Sequence, residues 1–272
     1  MLNILSPNVN DTVVDGLMSA LAVAGHNCTY INPGKAAFDA FYETRPDILI
    51  CYAKDYVDRF DAPLDEFKNT KCVLLKTNKM EERVLGYTPK PAANLAQYGL
   101  SSRSDSYESE FAYINLTKQN EILNNFLEAF MWPNFNPYLK VYGEKLPYSS
   151  YLGSVDIKQI CSVLSSTDIF LTLYNDLLLE ACWHGCLCIP YRSNPDLIPE
   201  DIFDRADNIE ELKDKLSFWI RDKKHNIYAD STQRKWILDG NTYYDRASQM
   251  LHQLGFIKES EECSHISKGL KT

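Results

Sequence analysis

Between Leu139 and Arg192 the chain reads LKVYGEKLPYSSYLGSVDIKQICSVLSSTDIFLTLYNDLLLEACWHGCLCIPYR. Within it, Tyr174, Asn175 and Asp176 close an apolar run, Glu180 follows among leucines, and Gly185 ends the next segment. Free N–H groups at a helix start attract anions. A carboxylate set among apolar neighbours can accept two hydroxyl protons at once. Strand, polar turn, helix with a carboxylate, then glycine is the order by which a doubly wound α/β domain holds an anionic cofactor at the carboxyl edge of its sheet. The leading expectation is a nucleotide-type ligand. Cys182, His184, Cys186 and Cys188 crowd the same stretch, but C-x-H-x-C-x-C is not a structural zinc spacing. These cysteines read as core residues, and His184 either touches the ligand or fills the helix–strand turn.

Those residues need an α/β frame, and the pattern supplies one. Strands are expected at 2–6, 28–31, 47–52 and 72–76, with a helix over 13–24 that Asp11 or Thr12 caps and Gly25 ends. The run DILICY is apolar throughout, as in strands buried on both faces. A further strand is expected at 111–116, a helix at 116–131, and a linker at Trp132–Pro137. The second half repeats the rhythm: strands at 139–142, 168–173 and 186–190, helices at 156–164 and 176–183, then helices near 209–221, 226–238 and 242–254. The expected fold is α/β with two Rossmann-like domains and a cleft between them. The first domain spans 1–136 and the second 137–258, with the last helix crossing back; 259–272 reads as a frayed polar tail.

Composition narrows the function classes. The 272 residues are 45% hydrophobic, enough for a core, and carry a net charge of −9. An acidic chain is a poor general nucleic-acid binder, although Lys68, Lys71, Lys76, Lys79 and Arg83 cluster in sequence. No apolar run reaches membrane-spanning length, and the first residues lack a basic stretch before an apolar one. Eight cysteines in apolar contexts fit a reducing compartment, so a cytoplasmic location with no membrane partner is expected. The dinucleotide and P-loop glycine fingerprints are absent, which weakens an oxidoreductase or an NTPase.

Several pieces in order resemble a family. They are Val141-Tyr142-Gly143, Tyr151-Leu152-Gly153, Thr167–Leu171, Glu180-Ala181-Cys182 with Gly185, Asn208–Leu212, and Asn241-Thr242-Tyr243-Tyr244-Asp245-Arg246-Ala247. Together they resemble the C-terminal half of GT-B glycosyltransferases, especially the compact, spore-maturation CgeB-like and GT4-like nucleotide-sugar transferases, and phage enzymes that modify DNA. The resemblance covers about half of the chain. The family often has Cys-Gly or Ala-Gly where this chain has His184-Gly185.

The resemblance implies roles. Glu180 would accept hydrogen bonds from the ribose hydroxyls. Tyr174, Asn175 and Asp176 would meet the diphosphate, and Gly143, Tyr151 and Gly153 would line the base pocket. Lys145 and Arg192 would neutralise the leaving diphosphate, with Lys145 counted as catalytic. Asn8, Asn10, Lys76 and Arg83 would face the acceptor, and Asp11 would be the catalytic base of an inverting enzyme. Helix capping is the plainer role for Asp11. The donor implied is a nucleotide-diphosphate sugar, a UDP-sugar above others. No obligatory cofactor or metal is implied, because no D-x-D pair sits at a suitable strand end. The acceptor stays open among a hydroxymethylated DNA base, a glycan, a protein and a small molecule. The competing class is a nucleotide- or sugar-binding α/β protein without transfer chemistry.

Overall fold

The computed structural model describes all residues except 9, 10, 33, 78, 79, 82, 83, 91, 100, 117–138, 145–150, 174–176, 194–197, 222, 271 and 272. The chain forms two compact units. One is Met1–Ala96 together with Gly240–Thr272; the other is Gln97–Asp239.

The first unit holds β1 (Asn3–Ser6), α1 (Thr12–Val23), β2 (Asn27–Tyr30), α2 (Ala37–Thr44) and β3 (Ile48–Tyr52). Next come α3 (Ala53–Asp55), a π turn (Tyr56–Phe60), α4 (Asp61–Glu66), β4 (Lys71–Leu75), β5 (Met80–Glu81) and β6 (Val84–Tyr87). The strands line up as β2-β1-β3-β4-β6-β5, all parallel except β5. Parallel strands buried on both faces carry unbroken apolar runs, and Leu49, Cys51, Cys72 and Leu74 pack one face against Phe41, Phe60 and Leu64.

The second unit holds β7 (Ser109–Asn115), β8 (Leu139–Gly143), α5 (Ile157–Ser165), β9 (Thr167–Leu173), α6 (Leu178–His184), β10 (Leu187–Tyr191), α7 (Ile209–Arg221) and α8 (Lys223–Leu238). Its strands run β10-β9-β7-β8, all parallel. Alternate residues, among them Tyr113, Val141, Leu171 and Ile189, meet Leu212 and Leu216 of α7 in one core. α5 starts on a capping box in which Asp156 accepts from Gln159 N–H and Gln159 Oε1 accepts from Asp156 N–H.

The chain finishes with α9 (Tyr243–Gln253) and α10 (Ile257–Gly269), both in the first unit. Thr242 and Asp245 form the capping box of α9. α9 packs on α1, where Gly16 lies under the Tyr243 ring. Two expectations change. The strand expected at 111–116 is β7, a central strand of the second sheet rather than the end of the first domain. The stretch expected to fray from 259 is α10. It has no apolar stripe but docks through small polar groups: Ser248 Oγ donates to Ser260 O at 2.9 Å, Ser260 Oγ returns to Ser248 O at 2.9 Å, and Ser267 Oγ reaches Asp245 at 2.7 Å. The helix expected at 116–131 lies mostly outside the described residues. Among them, no helix is long and apolar enough to cross a membrane.

Candidate functional site

Each sheet has a point where successive connections leave in opposite directions, the usual ligand position in open α/β sheets. In the first sheet it lies between β1 and β3, because the chain steps from β1 outward to β2 and returns to β3 on the other side. In the second it lies between β7 and β9.

At the first point, Asp11 caps α1. Its Oδ1 accepts from Val13 N–H at 3.1 Å and Val14 N–H at 3.0 Å, and its Oδ2 accepts from the Tyr52 hydroxyl at 2.7 Å. Burial, then that hydrogen bond, then the charges of Asp11 and Asp55 push the Tyr52 phenol well up, so it stays a donor. Asn8 takes its place from both sides. Its N–H donates to Ser6 Oγ at 3.3 Å and its Nδ2 donates to Asp55 Oδ2 at 3.0 Å. Its Oδ1 is buried with no hydrogen-bond partner among the described residues. Lys76 is exposed, with φ 58°, and its Nζ lies 5.2 Å from the centre of the Tyr52 ring. Thus Asn8 and Asp11, from the loop after β1, share one edge with Lys76, which is distant in sequence. Asn10 and Arg83 lie outside the described residues. Tyr52 and Asp55 were missed. The available signal was their position at the end of the third strand, in YAKD.

At the carboxyl edge of the second sheet, Gly143 ends β8 at φ 97°. Its N–H donates to Gly153 O at 3.0 Å, and its carbonyl accepts from the Tyr151 hydroxyl at 2.9 Å. Buried Asn115, at the end of β7, accepts from Glu144 N–H at 2.8 Å and donates through Nδ2 to Glu144 O at 3.3 Å. Gly143, Tyr151 and Gly153 are therefore one linked group. Gly153, at φ 123°, has open space where a Cβ would stand. Glu180 sits half-buried in the first turn of α6. Arg192 follows β10 at φ 52°, its guanidinium 5.6 Å from the centre of the Tyr191 ring. Beside it, buried Ser193 has an Oγ with no partner among the described residues, which sequence reasoning missed. Lys145, Tyr174, Asn175 and Asp176 lie outside the described residues. Among the described residues no group of histidine, cysteine, aspartate or glutamate is arranged to hold a metal.

His184 stands at the other edge. Its Nδ1 is 2.7 Å from Ser165 Oγ, at the end of the helix that leads into β9. It fills a turn and is not at the carboxyl edge. Burial pushes its pKa from an ordinary 6.5 down to about 4; the nearby Tyr98 backbone opposes the shift and the Arg234 charge adds to it. The unfolded chain takes up this proton near 6.5 and the folded chain only near 4. Below 6.5 the unfolded state therefore binds more protons, and stability falls as pH drops through that window. His26, lowered first by burial, acts in the same direction. The melting temperature should fall between about pH 7.5 and 5, and His184→Asn should flatten most of the slope. An unchanged slope in that variant would assign the loss elsewhere.

No family model and no curated protein matches the sequence. Solved structures do resemble the fold. The complex of Anabaena Alr3699/HepE with UDP has 8% identity and a TM-score of 0.63, covering 93% of this chain and 98% of that one. The Neisseria meningitidis UDP-GlcNAc 2-epimerase bound to UDP-GlcNAc has 9% identity and a TM-score of 0.55, covering 93% and 98%. The glycosyltransferase SnogD from Streptomyces nogalater has 13% identity and a TM-score of 0.52, covering 92% and 98%. The chain thus has the two Rossmann-like α/β units of the GT-B fold.

Proposed function

We propose that the chain is a glycosyltransferase that moves a sugar from a UDP-sugar to an acceptor, with the donor on the second unit and the acceptor on the first. One observation carries the reading: polar groups stand along the carboxyl edge of each sheet, in a fold whose solved examples include a UDP complex. Glu180 would hold the ribose hydroxyls, and the linked Gly143, Tyr151 and Gly153 would form the base pocket. Arg192 and Lys145 would meet the diphosphate, as would the segment Tyr174-Asn175-Asp176. Asn8, Asn10, Lys76 and Arg83 would serve the acceptor. A cation suffices to stabilise the charge on the leaving oxygen, so no metal is required. The net charge of −9 favours a glycan, protein or small-molecule acceptor over a DNA base.

UDP should raise the melting temperature more than GDP, ADP, TDP or NAD does. Hydrogen bonds to a charged group contribute about 1.5–3 kcal/mol, so Glu180→Ala should weaken UDP about 10- to 150-fold. No shift with any nucleotide would sink the proposal. The Neisseria structure favours one second reading, a UDP-sugar epimerase. Conversion of UDP-GlcNAc into its 2-epimer, with no transfer to an acceptor, would select it. UDP binding without turnover would leave a non-catalytic binding protein.

A further inference from the structure

We propose that Asp55, not Asp11, is the carboxylate that takes the acceptor proton, and that Asn8 shares in binding the acceptor hydroxyl. The inference rests on the transferase reading. Asp11 is fully engaged: two amide N–H groups hold Oδ1 and the Tyr52 hydroxyl holds Oδ2. To become a base it must break its helix cap or displace a phenol that burial keeps protonated. Asp55 is placed differently. It is half-buried, lies just past β3 at the switch point, and among the described residues accepts one hydrogen bond, from Asn8 at 3.0 Å.

That bond also decides which way the Asn8 amide faces. Flipping the amide would set its oxygen against the Asp55 carboxylate, so Nδ2 points to Asp55 and Oδ1 points away. Oδ1 is buried without a donor among the described residues. Buried acceptors are rarely left unsatisfied in folded proteins. A bare carbonyl oxygen beside a carboxylate that holds a single hydrogen bond among the described residues gives a pair of groups with acceptor capacity to spare. Such a pair recognises a group that brings the protons, a hydroxyl with a neighbouring O–H or N–H. In the reaction, the acceptor O–H bond breaks and its proton passes to Asp55. The freed oxygen bonds to the sugar C1, and the bond from C1 to the diphosphate oxygen breaks with both electrons leaving on UDP. A single displacement of this kind inverts the anomeric centre.

Water is an acceptor available in every assay, so the test is UDP release from UDP-glucose and UDP-GlcNAc by the full chain, with UDP binding followed by thermal shift. A positioned general base contributes about 10²- to 10⁴-fold. Asp55→Asn should lose release by that factor with its UDP shift intact. Asp55→Ala should regain part of the rate when formate is added, a rescue that a merely structural role would not give. Asn8→Ala should slow release at unchanged UDP affinity. Asp11→Asn, which keeps a capping oxygen, should lose far less than Asp55→Asn. Wild-type rates in Asp55→Asn, or a larger loss in Asp11→Asn than in Asp55→Asn, would overturn the assignment while leaving the transferase reading in place. A wild-type chain that neither binds UDP nor releases it would overturn that reading and the assignment together.

Discussion

Gln233→Leu should destabilise the chain by about 3–5 kcal/mol, although it exchanges a buried polar side chain for an apolar one of similar size. The reason is the free edge of β10. The strand pairs with β9 on one side only, so alternate N–H and C=O groups face away from the sheet. Three consecutive outward positions are satisfied in three ways. At Cys188, the Gln233 side chain acts as the missing strand: Oε1 accepts the Cys188 N–H at 2.9 Å and Nε2 donates to the Cys188 carbonyl at 3.1 Å. At Pro190 there is no N–H to satisfy, and its carbonyl accepts from Ala206 N–H at 2.9 Å. At Arg192, the N–H donates to Ala206 O at 3.0 Å. Gln233 is 1% exposed, and Nε2 also reaches Ile202 O at 3.4 Å. Leucine would strand a donor and two acceptors where water does not reach, and each such orphan costs about 1–3 kcal/mol. Urea unfolding of the variant measures the loss. A change below about 1 kcal/mol would mean that the edge finds other partners.

That edge also shows where sequence reading succeeds and where it stops. β3, β4, β9 and β10 were legible because strands buried on both faces have little choice but continuous apolar runs. The helix over Ile209–Arg221 was legible because one face repeats with helical spacing. β6 was not: it is four residues, VLGY, with a glycine inside. α10 was not, because its buried side chains are Ser260, Cys263 and Ser267, and serine-to-backbone bonds leave no apolar signature. The candidate site divides the same way. Asp11 as a cap is a local fact, readable from the residues after it. The pairing of Asn8 with Asp55 spans 47 positions and that of Asp11 with Tyr52 spans 41. Such pairings follow from the β2-β1-β3 order, which no local pattern encodes. Gln233 supporting a strand 45 positions away is the same kind of case.

Gly143→Ala should be the most damaging small change at the carboxyl edge of the second sheet. Two effects add. The backbone has φ 97°, a region open to glycine and strained for any other residue. A Cβ there would also stand 2.2 Å from the Asn115 carbonyl oxygen and within 3.0 Å of two more Asn115 backbone atoms. Those atoms belong to the neighbouring strand, where Asn115 pairs with Gly143 in the β7–β8 register, so no side chain can swing aside. The Asn115 oxygen also accepts the Glu144 N–H at 2.8 Å, and moving it breaks that bond. Together these predict a loss of about 3–5 kcal/mol. Gly153→Ala is the control. It shares the positive φ, 123°, but meets nothing within 4 Å, so it carries strain alone, about 1–2 kcal/mol. Urea unfolding of the two variants separates contact from strain, and equal losses would remove the Asn115 contact as the cause. If the linked group of Gly143, Tyr151 and Gly153 forms the base pocket, Gly143→Ala should also abolish the thermal shift with UDP. A folded Gly143→Ala chain that keeps that shift would move the base pocket away from β8.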